Sequence, residues 1–139
     1  NPKPLDLQPV LSWYTKVSSV KDLEKGSYVG YGCSYRAPCA MKVAVLSVGY
    51  FEGFPRMAGQ DQAYVLIAGQ RCPVVGRVCM NMMMVDVSAL DQVSIGDQVT
   101  LIGKDGRESI TAEDLASWAK TIHYEITTRL AASVPRVLI

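Results

Sequence analysis

The chain is poor in the residues that build metal and nucleophile sites. It has one histidine, His123, and four cysteines, Cys33, Cys39, Cys72 and Cys79, none in a C-x-x-C pair. Structural zinc sites use paired spacings of these residue types, so no metal site is expected. His123 has no identifiable partners for a serine–histidine–acid set. No glycine-rich loop runs into a lysine, the pattern that cradles a nucleotide phosphate. No apolar run reaches the roughly 18 residues of a spanning helix, and the start "NPKPLDLQPVL" lacks the apolar centre of a signal peptide. Repeats and low-complexity tracts are absent. So is charge of one sign: 14 basic and 13 acidic side chains leave a net +1. That balance gives no footprint for nucleic acid or an anionic membrane.

What is present fits one globular domain of 139 residues with 49% hydrophobic content. A chain of this size buries roughly two-thirds of its unfolded surface, so its core needs no disulfide. The thiols are expected to be reduced, in a cytoplasmic protein. The prolines of "NPKPLDLQPVL" read as a lead-in to a domain, which makes the chain fit as a piece of something longer.

Short β-like runs dominate. "MKVAVLSVGYF" (41–51) predicts a strand buried on both faces. "AYVLIAG" (63–69) is a second run, ended by Gly69-Gln70, and "CPVVGRVCMNMMMVDVS" (72–88) is a third, bent at Gly76. "DQVTLIG" (97–103) leads into a tight turn at Asp105-Gly106. Strands spaced by turn residues predict a mainly β fold, a barrel or a sandwich, of which a small Greek-key-like β-barrel is the expectation taken forward. One or two short helices follow near the C-terminus. In "SITAEDLASWAKTI" (109–122), Leu115, Trp118, Ala119 and Ile122 share one helical face. Thr111 and Asp114 form a capping box, and Ile110 with Leu115 a hydrophobic staple. "HYEITTRL" is ambiguous, and "PRVLI" (135–139) reads as a last strand. Of Met80, Met82, Met83 and Met84, alternate members are expected to fill a core rather than bind metal.

"GSYVGYGCSYRAP" (26–38) places Tyr28, Tyr31 and Tyr35 within eight residues, with Gly30 and Gly32 around the middle one. Read by itself it is an aromatic strand with a glycine bulge, or a tyrosine that something approaches closely. Gly30-Tyr31-Gly32, "GYFEGFPR" (49–56), "VGRVCMN" (75–81), "TIHYEI" (121–126) and "VPR" (134–136) occur in that order, with 19 residues from Tyr31 to Tyr50. In order and spacing they resemble the C-terminal domain of alanine racemase, from about Leu5 to Ile139.

The resemblance implies a single C-terminal β-barrel domain over residues 1–139. The pyridoxal-phosphate-binding α/β barrel of the family lies outside it. It implies an amino acid racemase that interconverts L- and D-alanine for peptidoglycan synthesis. Each active site forms where the barrel of one subunit of a homodimer meets the β domain of the other. The substrate is an amino acid, with neither nucleic acid nor membrane as a partner, and the isolated domain is expected to be inactive. Tyr31 matches the family's tyrosine acid/base, which works opposite the cofactor lysine. Free tyrosine has a pKa of about 10, so a nearby cation would make it a better base. The family's arginine for that purpose belongs to the other domain. Met80 matches the position whose backbone N–H binds the substrate carboxylate, and Tyr124 the tyrosine that contacts the cofactor phosphate. Tyr50, Arg56, Arg77 and Ile122, with Asn81, match the corridor by which substrate approaches. Read without the resemblance, Met80 is a core methionine, Tyr124 a surface tyrosine, and Arg56 and Arg77 ordinary surface cations.

Two positions depart from the family pattern. C-M-D becomes Cys79-Met80-Asn81, and G-Y-A-D-G becomes Gly49-Tyr50-Phe51-Glu52-Gly53. Asn81 loses a charge, and Phe51 adds bulk, so serine or a broader substrate range stays open beside alanine. The alternative reading is a non-catalytic β-barrel module for interaction or dimerisation.

Overall fold

A computed structural model describes residues 7–59 and 62–139. The lead-in read at residues 1–11 therefore lies partly outside the described residues. The strands are β1 (Trp13–Leu23), β2 (Tyr28–Val29), β3 (Tyr35–Arg36), β4 (Met41–Leu46), β5 (Tyr64–Ile67), β6 (Gln70–Val75), β7 (Met83–Asp86), β8 (Gln98–Asp105) and β9 (Glu108–Ile110). A 3-10 turn spans Arg56–Gly59, and the helices are α1 (Ala112–Ala119) and α2 (His123–Thr128).

The main sheet runs β1-β4-β7-β6-β5-β8, and β1 pairs with β8 as well, so the hydrogen-bond ladder closes into a ring, with β9 added beside β8. Its pairings are antiparallel, and β4-β7-β6-β5 has Greek-key order. The mostly β fold expected from the sequence is therefore present. β1 serves two neighbours because it is long. Trp13–Lys16 pair with β8 and Val17–Leu23 with β4, and a register irregularity between Val17 and Ser19 falls where the strand changes partner. An extra residue at such a point bends a strand, which a closed ring requires.

The ring encloses one apolar core. Leu46, Leu66, Met83, Leu101 and Leu115 are fully buried in it, and Trp13 meets Phe54 at a ring separation of 6.3 Å. Each such side chain contributes roughly 1.5–3 kcal/mol relative to exposure. β5 and β6 are joined by Ala68-Gly69, whose φ angles of 50° and 74° are those of a two-residue type I′ turn. Asp105 pairs with Glu108 around Gly106, at φ 61°, which is the tight turn read there.

The capping box at Thr111 and Asp114 is formed, and Ile110 and Leu115 are both buried. The helical face nevertheless stops short of Ile122. Lys120 leaves α1 at φ 57°, the chain turns, and Ile122 becomes the exposed N-cap of α2. Other expectations are also corrected. Strand β4 stops at Leu46, with residues 47–51 in a loop. "PRVLI" is not a strand: the Arg136 guanidinium donates to the carbonyls of Leu130, Ala131 and Val134, tying the segment back to the exit of α2. Met83 is core and Met84 half-buried, but Met80 and Met82 are exposed, because the chain bends after Gly76 and β7 begins only at Met83. The four cysteines are unpaired. Among the described residues, no helix is long and apolar enough to cross a membrane.

Candidate functional site

Tyr31 is on neither a strand nor a bulge. It sits at the tip of a turn between β2 and β3, closed by the Cys33 N–H donating to the Gly30 carbonyl at 3.2 Å. Gly32, at φ 70°, occupies the third position, where a left-handed residue is required. Gly30 has a different task. A Cβ on it would lie 3.0 Å from Ser34 Oγ and 3.3 Å from Gly76 Cα, and the Arg77 N–H donates to Ser34 Oγ at 3.0 Å. The turn is thus docked backbone to backbone on Gly76-Arg77, while the Tyr31 side chain stays 73% exposed. Its neighbours divide. Tyr35 packs half-buried on a small cluster with Val29 and Met41, whereas Tyr28 is exposed beneath the Arg36 guanidinium rather than packed inside.

A second docking joins the loop after β4 to residues 79–81. Tyr50 N–H donates to Cys79 O at 3.1 Å, and Phe51 N–H to Met80 O at 2.9 Å. A Cβ on Gly49 would stand 2.2 Å from Cys79 O and 2.3 Å from Met80 O. Glu52 closes the junction: Oε2 accepts from Gly49 N–H at 2.8 Å, and Oε1 from Asn81 Nδ2 at 2.9 Å. A carboxylate only accepts, so this fixes which end of the Asn81 amide faces it. Met80 is left with its carbonyl engaged, its side chain half exposed, and its N–H without a hydrogen-bond partner among the described residues.

Three loops therefore bring Tyr31, Tyr50, Arg77, Met80 and Asn81 together around residues 76–82. Arg56 joins through a groove lined by Tyr50, Arg56, Lys120, Thr121, Glu125 and Arg129. Within it Glu125 pairs with Arg129 at 2.8 Å and accepts from the Thr121 hydroxyl. Ile122 and Tyr124 are not part of this network. Both are exposed at the start of α2, where the Tyr124 ring lies 4.1 Å from that of His123. Sequence reasoning missed Ser34, Gly49 and Gly76 as the residues that dock the loops. Gly76 was legible as a bend, but Ser34 and Gly49 carry no local signal, because the backbone they meet is distant in sequence.

The chemistry offered at this rim is a phenol, an unpartnered N–H and cationic side chains, enough to hold a small carboxylate and move a proton beside it. Residues 10–138 match the family model for the C-terminal domain of alanine racemase. The chain is 40% identical over 137 residues to an alanine racemase of Leptospira interrogans serogroup Icterohaemorrhagiae serovar copenhageni, covering 99% of this chain and 35% of that protein. It is 48% identical over 133 residues to one of Symbiobacterium thermophilum, covering 96% of this chain and 35% of that protein. The solved alanine racemase from Bacillus anthracis with bound L-Ala-P superposes with a TM-score of 0.89 at 39% identity, over 98% of this chain and 34% of that one. A histidine racemase from Leuconostoc mesenteroides subsp. sake gives 0.90 at 34% identity, over 98% of this chain and 36% of that one. The chain thus spans about a third of the length of the relatives it matches. In sequence and in fold, it belongs to the alanine racemase C-terminal domain family.

Proposed function

We propose that this domain supplies one face of the active site of a cytoplasmic, homodimeric amino acid racemase, with alanine as its substrate and D-alanine for the cell wall as its product. An upstream α/β barrel outside residues 1–139 carries pyridoxal phosphate and the opposing base. The observation that carries the reading is the glycine-framed turn that holds Tyr31 exposed and docked on the segment leading to the free N–H of Met80. By their chemistry, the Met80 N–H suits a carboxylate and the exposed Tyr124 hydroxyl suits a phosphate. When bound, pyridoxal phosphate delocalises the charge left by departure of the Cα proton. Tyr31 Oη then takes or returns that proton on one face, and Met80 N–H orients the carboxylate. Arg56 and Arg77, with Tyr50 and Asn81, draw the anionic end of the substrate inward, and the exposed Ile122 lines the same approach only if the partner subunit completes it. Tyr31, Phe51, Met80 and Met82 leave an apolar rim exposed, which suits cover by another subunit.

The test is racemisation by the full-length protein and its Tyr31→Phe variant, with alanine, serine and histidine as substrates. Histidine is included because of the likeness to a histidine racemase. The variant is expected to lose about 10²–10⁴-fold in rate, the range for a removed acid/base group. Undiminished interconversion in both directions would overturn the role given to Tyr31.

A further inference from the structure

The two places where the sequence departs from the motifs it resembles touch each other. Glu52, one methylene longer than aspartate, reaches across from the loop after Gly49. Its Oε1 meets the amide of Asn81 at 2.9 Å, while Oε2 holds its own loop through the Gly49 N–H at 2.8 Å. The departures are therefore one feature. A longer carboxylate is matched by a donor, where an aspartate in place of Asn81 would set two negative groups at hydrogen-bond distance.

We propose that Glu52 and Asn81 form a clasp that positions the Met80 N–H for its ligand carboxylate. Met80 lies between the clasp and the docking contacts. On one side Asn81 is held by Glu52, and on the other the Cys79 carbonyl is held by Tyr50 N–H. The Cys79 carbonyl shares a peptide unit with the Met80 N–H, so its bond from the Tyr50 N–H at 3.1 Å fixes that plane, and Met80's own carbonyl takes the Phe51 N–H at 2.9 Å. The Met80 N–H points away from the bonded Cys79 carbonyl and has no partner of its own among the described residues. Neither clasp residue needs to touch the substrate, so both are positioning residues. Glu52 also accepts, through its backbone carbonyl, the N–H of Ala131 at 3.1 Å, so the clasp is continuous with the exit of α2. The role assigned to the Met80 N–H rests on the function proposed above, whereas the clasp rests on geometry alone.

The chemistry provides its own rescue. Asn81→Asp opposes two carboxylates and breaks the clasp. Glu52→Gln added to it restores both hydrogen bonds, with donor and acceptor exchanged in the one between residues 52 and 81. The oxygen of the introduced amide accepts from Gly49 N–H, and its nitrogen donates to the introduced carboxylate. The full-length protein, N81D and N81D/E52Q are compared in three measurements. In racemisation, N81D is expected to raise KM about tenfold with kcat within about twofold, because a contact made equally in ground and transition states acts on KM. The double variant is expected to return to within about twofold of the original KM. Amide hydrogen exchange of the 79–82 segment and of Phe51 is expected to speed up in N81D and recover in N81D/E52Q. Thermal midpoints show whether the fold as a whole has weakened.

The outcomes separate the two ideas. If the unsubstituted protein racemises none of the amino acids, the proposed function falls, and the clasp is judged by exchange alone. Unchanged exchange in N81D, or no recovery in N81D/E52Q, would then overturn the clasp. If the unsubstituted protein is active, an unchanged KM in N81D, or loss in kcat without a rise in KM, overturns positioning even where exchange responds.

Discussion

Gly49 has no space for a methyl group. A Cβ there would meet the Cys79 and Met80 carbonyl oxygens at 2.2 and 2.3 Å, and these are backbone atoms that cannot swing away. Gly49→Ala is expected to destabilise the protein by about 3 kcal/mol, the upper end for overpacking, read from the denaturation midpoint, since relief requires parting two hydrogen-bonded loops. Nothing local in the sequence announces this. By contrast, Gly32 next to a tyrosine already asks for a turn or a close approach, which is why Tyr31 was legible and its docking platform was not. Cys72 makes a second case at this scale. Burial above all, with the charges of Asp86 and Asp105, pushes its thiol up to about 11. The unfolded chain then gives up this proton at a lower pH than the folded one. The contribution to stability is whole below the ordinary thiol range and fades as pH climbs from there toward 11. Cys72→Ala should lack this component, so its stability is expected to decline less steeply over that window in denaturant titrations. Parallel declines would refute it.

Elements were legible where a signal was local. The capping box and staple of α1 are written within a few consecutive residues; the box is formed, and both staple residues are buried. Strand ends were not, because they depend on partners: β4 stops at Leu46, where its pairing with Met83 of β7 runs out. The same holds for Ile122, which helical spacing put on α1 and which the left-handed Lys120 carries away. The β5–β6 hairpin offers a direct test of turn chemistry. Ala68 holds φ 50° in an exposed position, a conformation that disfavours any Cβ. Asparagine tolerates it, and Asn-Gly is a preferred pair for this turn. Ala68→Asn is expected to stabilise the protein by about 0.5–1 kcal/mol, measured by chemical denaturation. A loss of stability would show that the turn is held by something other than its own backbone preference.

At the scale of the molecule, the proposed site is shared between chains, and sharing can be tested by mixing. A full-length Tyr31→Phe protein and one lacking the cofactor lysine proposed upstream are each expected to be inactive. After subunit exchange, half of the dimers are mixed, and each mixed dimer has one site built from two intact halves. About a quarter of the original activity should return. No recovery would mean that each site is built within one chain.

The closed ring also bears on the order in which the protein is made. Trp13–Lys16 pair with β8, whose residue opposite Trp13 is Ile102, so the first strand of the ring waits for the last one to join it. Until then β1 and β5 both present unpaired strand edges, the kind that recruit other chains. A chain emerged from the ribosome only as far as β7 would hold an open sheet prone to sticking, while one emerged beyond Asp105 could seal it.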